Sequence, residues 1–405
     1  MIIKNISFGL LSSISRLILG LATFTLLTRF LNIEDFGKYS YLLTITGYLT
    51  IIIDFGFNFS SLNNLPKDKL SLKNNFYETI FSKLLLTILS LIVMVILLII
   101  IPYFNYSLEF LIFSSIAILF SFSTYISQVF KAFNRFEVEF MFVLINNLLP
   151  LILFVFIGEG ISLLDIAYGL LLFRVLGVFY LVLKFRNFFS DKKIVRKLEF
   201  GLGRIKNNWK YAVHMIIGSV FISSDIIIMK ETLGLSQIAI YSTGIKILMS
   251  LLMIGEVVNS SFIPKLSECY SNSELLFKRN AKKLFIIILF LSFAFSISVY
   301  LMGEFVIGLV FGEKYDELIP LLPYFSVLLI IRFMAIFFGT MVTLAEKQKY
   351  RAYTVLIILP IHLLLNKYLQ IEMGIIGALI AMIISFSIIT TINLLLTIKY
   401  HGKVI

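Results

Sequence analysis

A chain of 405 residues that is 59% hydrophobic and only 14% charged has too little polar surface for a water-soluble particle of its size, so the lipid bilayer is its solvent. A formal charge of +12 would suggest nucleic acid in a soluble protein. Here the basic residues sit in short segments beside apolar runs, where they set membrane orientation and exclude a nucleic-acid partner.

A helix needs about 20 apolar residues to cross a hydrocarbon layer of about 30 Å, and the sequence has twelve runs of that kind. They fall near 6–31, 39–59, 80–103, 110–130, 140–157 and 161–183, then 211–230, 238–263, 284–302, 318–344, 353–368 and 375–398. The first run is long and contains Arg16 and Arg29, unlike a cleavable signal, so it is expected to remain as the first span. Most Lys and Arg residues occupy one alternate set of connecting segments: Lys67, Lys69 and Lys73; Lys131 and Arg135; the segment 184–210; Lys265, Lys278, Arg279, Lys282 and Lys283; Lys347, Lys349 and Arg351. The opposite set holds Arg29, Lys38, Lys230, Lys314 and Lys367 with acids such as Glu34, Asp35, Glu313, Asp316 and Glu317. The positive-inside rule then puts both termini in the cytoplasm.

Along the chain, the first run places Gly9, Ser13, Arg16, Gly20 and Thr23 on one helical face. The second aligns Thr44, Gly47, Ile51, Asp54 and Asn58, and the sixth contains Arg174. Runs three and nine have uncharged middles and are expected to face lipid. The segment 184–210 reads as a basic linker between a domain of helices 1–6 (1–183) and one of helices 7–12 (211–405). Its Gly201-x-Gly203 follows a membrane helix rather than a strand, which excludes a nucleotide loop. Run seven aligns His214, Gly218, Ile222 and Asp225; run eight aligns Ser242, Lys246, Ser250, Met253, Glu256 and Ser260; run ten contains Arg332.

An ionised side chain at the bilayer centre costs about 2.5–3.5 kcal/mol on insertion scales. Arg16, Arg174, Lys246 and Arg332 must therefore meet water, a counter-charge or a ligand, and so must Asp54, Asp225 and Glu256. Small residues and serines also mark ordinary helix packing in membranes, but the added charges favour an aqueous face. Asp54 and His214 lie near the inner boundary, where an interfacial role is the alternative, and Arg174 equally suits a simple pair. Lys246 and Glu256 are about 15 Å apart along one helix, which leaves Asp225 as another partner for Lys246.

Shifted by half its length, the chain places Leu31 to Ser40 on Leu233 to Ser242 with the Tyr-Ser pair coincident, and Asp54 on Glu256. The halves thus read as a duplication, and transporters built in this way bind substrate between their halves. His214, His362 and His401 are far apart in sequence and form no metal-ligand spacing. The single cysteine, Cys269, excludes an internal disulfide. Without a phosphate loop or a nucleophile elbow, no enzymatic activity and no cofactor are expected.

The stretch from Arg16 to Asn58, with Leu27-Thr28-Arg29-Phe30-Leu31-Asn32-Ile33-Glu34-Asp35-Phe36-Gly37-Lys38-Tyr39 and Asp54-Phe55-Gly56-Phe57, resembles the opening of bacterial polysaccharide flippases. These are O-antigen and capsule repeat-unit translocases of the multidrug/oligosaccharidyl-lipid/polysaccharide exporter superfamily. Ser224-Asp225-Ile226-Ile227-Ile228, Ile240-Tyr241-Ser242 and Phe311-Gly312-Glu313-Lys314-Tyr315 resemble further blocks of that family.

The resemblance implies an all-α fold of 12 transmembrane helices in two six-helix lobes around a central cavity. It implies alternating access, with a polyprenyl diphosphate-linked oligosaccharide carried from the cytoplasmic to the outer face of the bacterial inner membrane. Arg16, Arg332, Arg174 and Lys246 are the positions that would bind the headgroup, and Glu256, Asp225 and Asp54 those that would couple transport to H+ or Na+. Partners would be membrane lipids, a polysaccharide polymerase and a chain-length regulator, the transporter itself acting as a monomer. The alternatives are a multidrug or organic-cation antiporter, for which this set of charges has the wrong sign; a peptidoglycan lipid-precursor flippase, whose relatives tend to have further C-terminal helices; and a membrane glycosyltransferase or polymerase, which usually has a large outer loop.

Overall fold

The computed structural model describes residues 2–58, 69–100, 107–188 and 199–402, and within these the chain is helical almost throughout. We number the helices α1 (Ile2–Phe30), α2 (Ile33–Asp54), α3 (Lys69–Ile100), α4 (Ser107–Ala132), α5 (Phe136–Ile157), α6 (Leu163–Phe188), α7 (Glu199–Thr232), α8 (Leu235–Asn272), α9 (Glu274–Val310), α10 (Leu322–Leu344), α11 (Gln348–Met373) and α12 (Ile375–His401). Thirteen α-helical segments are present among the described residues, two of them joined in α5 by a π-turn over Leu144–Leu148. The π-turn has a local cause in Pro150, which has no N–H and whose ring would collide with the carbonyl one turn back.

Among the described residues, ten helices are long and apolar enough to cross a membrane, or eleven if bent α7 is one span. The protein is therefore a multi-pass, all-α membrane protein. Helix α2 falls short of that test although a span is expected there. It carries Ser40, Thr44, Thr46 and Thr50 with Tyr39, Tyr41 and Tyr48, and much of it is buried among neighbours, where a helix needs less apolar surface.

Two compact units divide the chain, Met1–Ser219 and Val220–Ile405. In the first, α4 lies against α2 and α6, and α1 against α5. Its aromatic core includes Phe76, Tyr125, Phe130, Phe142 and Phe185, with Phe76 stacked on Phe185 at 4.1 Å. Helix α2 starts at Asn32, whose Oδ1 accepts the Asp35 amide at 2.7 Å, while Glu34 and Asp35 complement the positive helix end. Asn32 of the opening block is thus a helix cap.

The described part of the expected linker from Glu199 onward is helix, and it packs on the first unit. Ser82 Oγ donates to the Gly201 carbonyl at 2.8 Å, Arg204 pairs with Glu78 at 2.7 Å, and Asn208 Nδ2 donates to the Phe55 carbonyl at 2.5 Å. The linker residues 189–198 lie outside the described residues, as do Lys67 and the His214 side chain.

In the second unit α12 packs on α10 and α11, and α10 also meets α8 and α9. Leu329, Phe333, Phe337, Met341, Ala378 and Leu379 fill its centre. Helices α3 and α9 present wide exposed apolar faces, Ile88, Leu89 and Ile92 on one and Phe290, Leu301 and Phe305 on the other. Such faces fit hydrocarbon.

Candidate functional site

Arg16 projects from α1, where Gly9, Ser13, Gly20 and Thr23 share its face and are half-buried to exposed, while Ser12, Leu27 and Thr28 are buried. Its Nη2 lies 3.0 Å from Glu139 Oε1, and Lys131 Nζ lies 2.6 Å from the same oxygen. Arg174 in α6 is half-buried, has its guanidinium 4.8 Å from the centre of the Phe120 ring, and feels the charge of Arg16. Its buried Nε has no hydrogen-bond partner. The first unit thus brings Arg16 and Lys131 to one carboxylate, with Arg174 near enough to Arg16 to act on it. Glu139 was not among the expected residues because it precedes the apolar run that starts at 140, whereas α5 begins at Phe136.

Asp54 ends α2 and is buried rather than open to water. Lys83 Nζ meets its Oδ1 at 3.0 Å, the Ser121 carbonyl at 3.0 Å and Ser121 Oγ at 2.8 Å. Lys83 reads from sequence as part of a basic inner segment at the start of run three, yet it is fully buried and matches Asp54 charge for charge.

In the second unit Arg332 of α10 lies 4.1 Å from the centre of the Phe386 ring, a cation–π contact, with Glu256 and Tyr241 close enough to act on its charge. Lys246 is half-buried on α8, and Glu256 is exposed further along that helix.

Asp225 departs from the open stripe expected on α7. It is fully buried, and its carboxylate accepts from Tyr241 Oη and Asn366 Nδ2, while His362 Nε2 lies 3.0 Å from Oδ1. An ionised Asp225 accepts the Nε2 proton, and His362 Nδ1 lies 3.0 Å from the Ser385 hydroxyl. Gln370 donates to the Asp225 carbonyl at 3.2 Å, and Thr232 donates to Gln370 Oε1 at 2.8 Å. A row of rings joins this cluster to Arg332: Phe386 packs edge-on to Phe221 at 5.2 Å, and Phe221 stacks on His362 at 4.6 Å. His362, Asn366 and Gln370 recur every four residues on α11 and are all fully buried, a polar stripe readable in the sequence once periodicity is applied to that run.

A family of polysaccharide biosynthesis proteins matches residues 2–270. The chain belongs to that family. It is 23% identical over 393 residues to the capsular polysaccharide biosynthesis protein CapF of Staphylococcus aureus, covering 95% of this chain and 96% of CapF. Its fold is that of the lipid II flippase MurJ in an inward closed conformation, with a TM-score of 0.74 at 16% identity over 97% of this chain and 87% of MurJ. An inward-facing multidrug resistance transporter of the MATE family in the MOP superfamily also matches, with a TM-score of 0.70 at 12% identity over 96% of this chain and 95% of that one. This is the MOP-superfamily fold anticipated from the opening block.

Proposed function

We propose that this polysaccharide biosynthesis protein is a flippase that moves a polyprenyl diphosphate-linked oligosaccharide from the cytoplasmic to the outer face of the bacterial inner membrane, with both termini cytoplasmic. The observation that carries the reading is the gathering of Arg16 and Arg174 in the first unit, with Arg332 and Lys246 in the second. Polar sugars and a diphosphate cannot enter hydrocarbon, and a polyprenyl tail cannot leave it. Membrane-embedded cations exposed alternately to the two faces of the bilayer meet both demands. Membership of the family and similarity to CapF along nearly the whole chain support a polysaccharide precursor over an organic cation, which would favour an acidic site.

Asp225 is the coupling residue in this reading. It is the candidate acid with a histidine at hydrogen-bond distance, and its ring contacts lead to a headgroup arginine. Glu256 acts on Arg332 directly, and Asp54 serves to neutralise Lys83.

The test is complementation of a capsule-producing host that lacks its own flippase. Loss of one charge-assisted contact costs about 1.5–3 kcal/mol, roughly ten- to a hundredfold in headgroup affinity. Arg16→Ala and Arg332→Ala are each expected to abolish surface polysaccharide while lipid-linked precursor accumulates inside. Unchanged polysaccharide, with drug efflux lost instead, overturns the proposal.

A further inference from the structure

The ion pairs around Glu139 differ from an ordinary surface pair. Both cationic nitrogens converge on one oxygen, Arg16 Nη2 at 3.0 Å and Lys131 Nζ at 2.6 Å. The Glu139 side chain is only 3% exposed, whereas those of Arg16 and Lys131 are 52% and 26% exposed. The carboxylate is therefore enclosed, while the Arg16 and Lys131 side chains, from two helices, keep part of their surface open. Glu139 also sits in the first turn of α5, the helix end that attracts negative charge. Arg16, Lys131 and the nearby Arg174 outnumber this one acid, so the group keeps a net positive charge.

We infer that Lys131 is a second headgroup-binding residue, and that Glu139 positions Arg16 and Lys131 as a two-pronged clamp selective for a diphosphate over a single phosphate. This rests on the flippase reading. A diphosphate offers each of the two donors a charged phosphoryl group of its own, whereas on a monophosphate both donors must share one group. Glu139 itself touches no substrate. Removing its charge raises the local positive potential, so simple attraction predicts tighter anion binding; loss of positioning predicts lost discrimination instead. The two effects are separable because they move different quantities.

The experiment measures binding of a polyprenyl diphosphate and of a polyprenyl monophosphate of equal chain length to the full-length protein in detergent. Wild type is expected to prefer the diphosphate by about tenfold, equivalent to about 1.4 kcal/mol. Lys131→Gln and Glu139→Gln are expected to bring that ratio close to one with monophosphate binding retained, and Glu139→Asp to keep it. Lys278→Gln, which removes a positive charge paired with Glu274 in the second unit, is expected to leave both constants unchanged. A wild type with no preference, variants that keep the wild-type ratio, or tighter diphosphate binding by Glu139→Gln overturns the clamp. Should Glu139→Gln fail to fold, Lys131→Gln alone decides between lost and retained preference. Failure of wild type to bind either lipid would instead overturn the flippase reading.

Discussion

Replacing Lys83 by methionine keeps the length of the side chain but removes a fully buried cation with three oxygen partners at 2.8–3.0 Å. Asp54 Oδ2 already lacks a hydrogen-bond partner, so the variant leaves a buried carboxylate with neither of its oxygens matched. An uncompensated charge of this kind costs about 3–5 kcal/mol. The double variant Asp54→Asn/Lys83→Met carries no charge and loses only neutral hydrogen bonds, at about 1–3 kcal/mol. Lys83→Met alone is therefore expected to be the less stable of the two, with a favourable coupling of about 2 kcal/mol in the double-mutant cycle. Thermal unfolding in detergent, followed by the fluorescence of the single tryptophan, Trp209, measures it. That probe is well placed, because its neighbour Asn208 binds the Phe55 carbonyl directly after Asp54. A single variant as stable as wild type, or a double variant no more stable than the single, refutes the reasoning. The double variant should also transport, since this reading gives Asp54 a stabilising role.

Asp225→Asn should retain headgroup binding but lose stimulation by an imposed pH or sodium gradient in proteoliposomes, and undiminished stimulation would count against coupling at this cluster. Phe386→Ala removes the ring beneath Arg332, a contact worth about 0.5–2 kcal/mol, and should weaken headgroup affinity severalfold; unchanged affinity argues that the ring contributes nothing. Gly377→Ala would place a methyl group 1.9 Å from the Leu369 carbonyl oxygen, a backbone collision that should lower stability by about 3 kcal/mol or more. Gly308→Ala meets nothing within 4 Å and should be neutral, or stabilising by up to about 1 kcal/mol through helix propensity. Thermal unfolding of the two variants side by side checks both expectations.

The legibility of the site followed the range of the interactions. Arg16 and Arg332 stood out because a charge inside an apolar run is anomalous within its own helix. Lys83 did not, because at the start of its run it resembled the inner basic residues around it, and its partners come from α2 and α4. Glu139 was hidden for a similar reason: it lies in the first turn of α5, ahead of the apolar residues, and gains its importance from α1 and α4. His362 looked isolated when histidines were compared along the chain, yet it meets Asp225 across 137 residues.

From the sequence alone came the membrane setting and the places of the apolar runs, since insertion depends on residues within one helix. Tertiary structure decided which charges are matched and which remain open: Asp54 closed by Lys83, Asp225 enclosed by Tyr241, His362 and Asn366, and Arg16 drawn to Glu139. The physical reason is that in a medium of low polarity the energy of an ionised group depends on whether a partner lies within a few ångströms, and here those partners come from other helices.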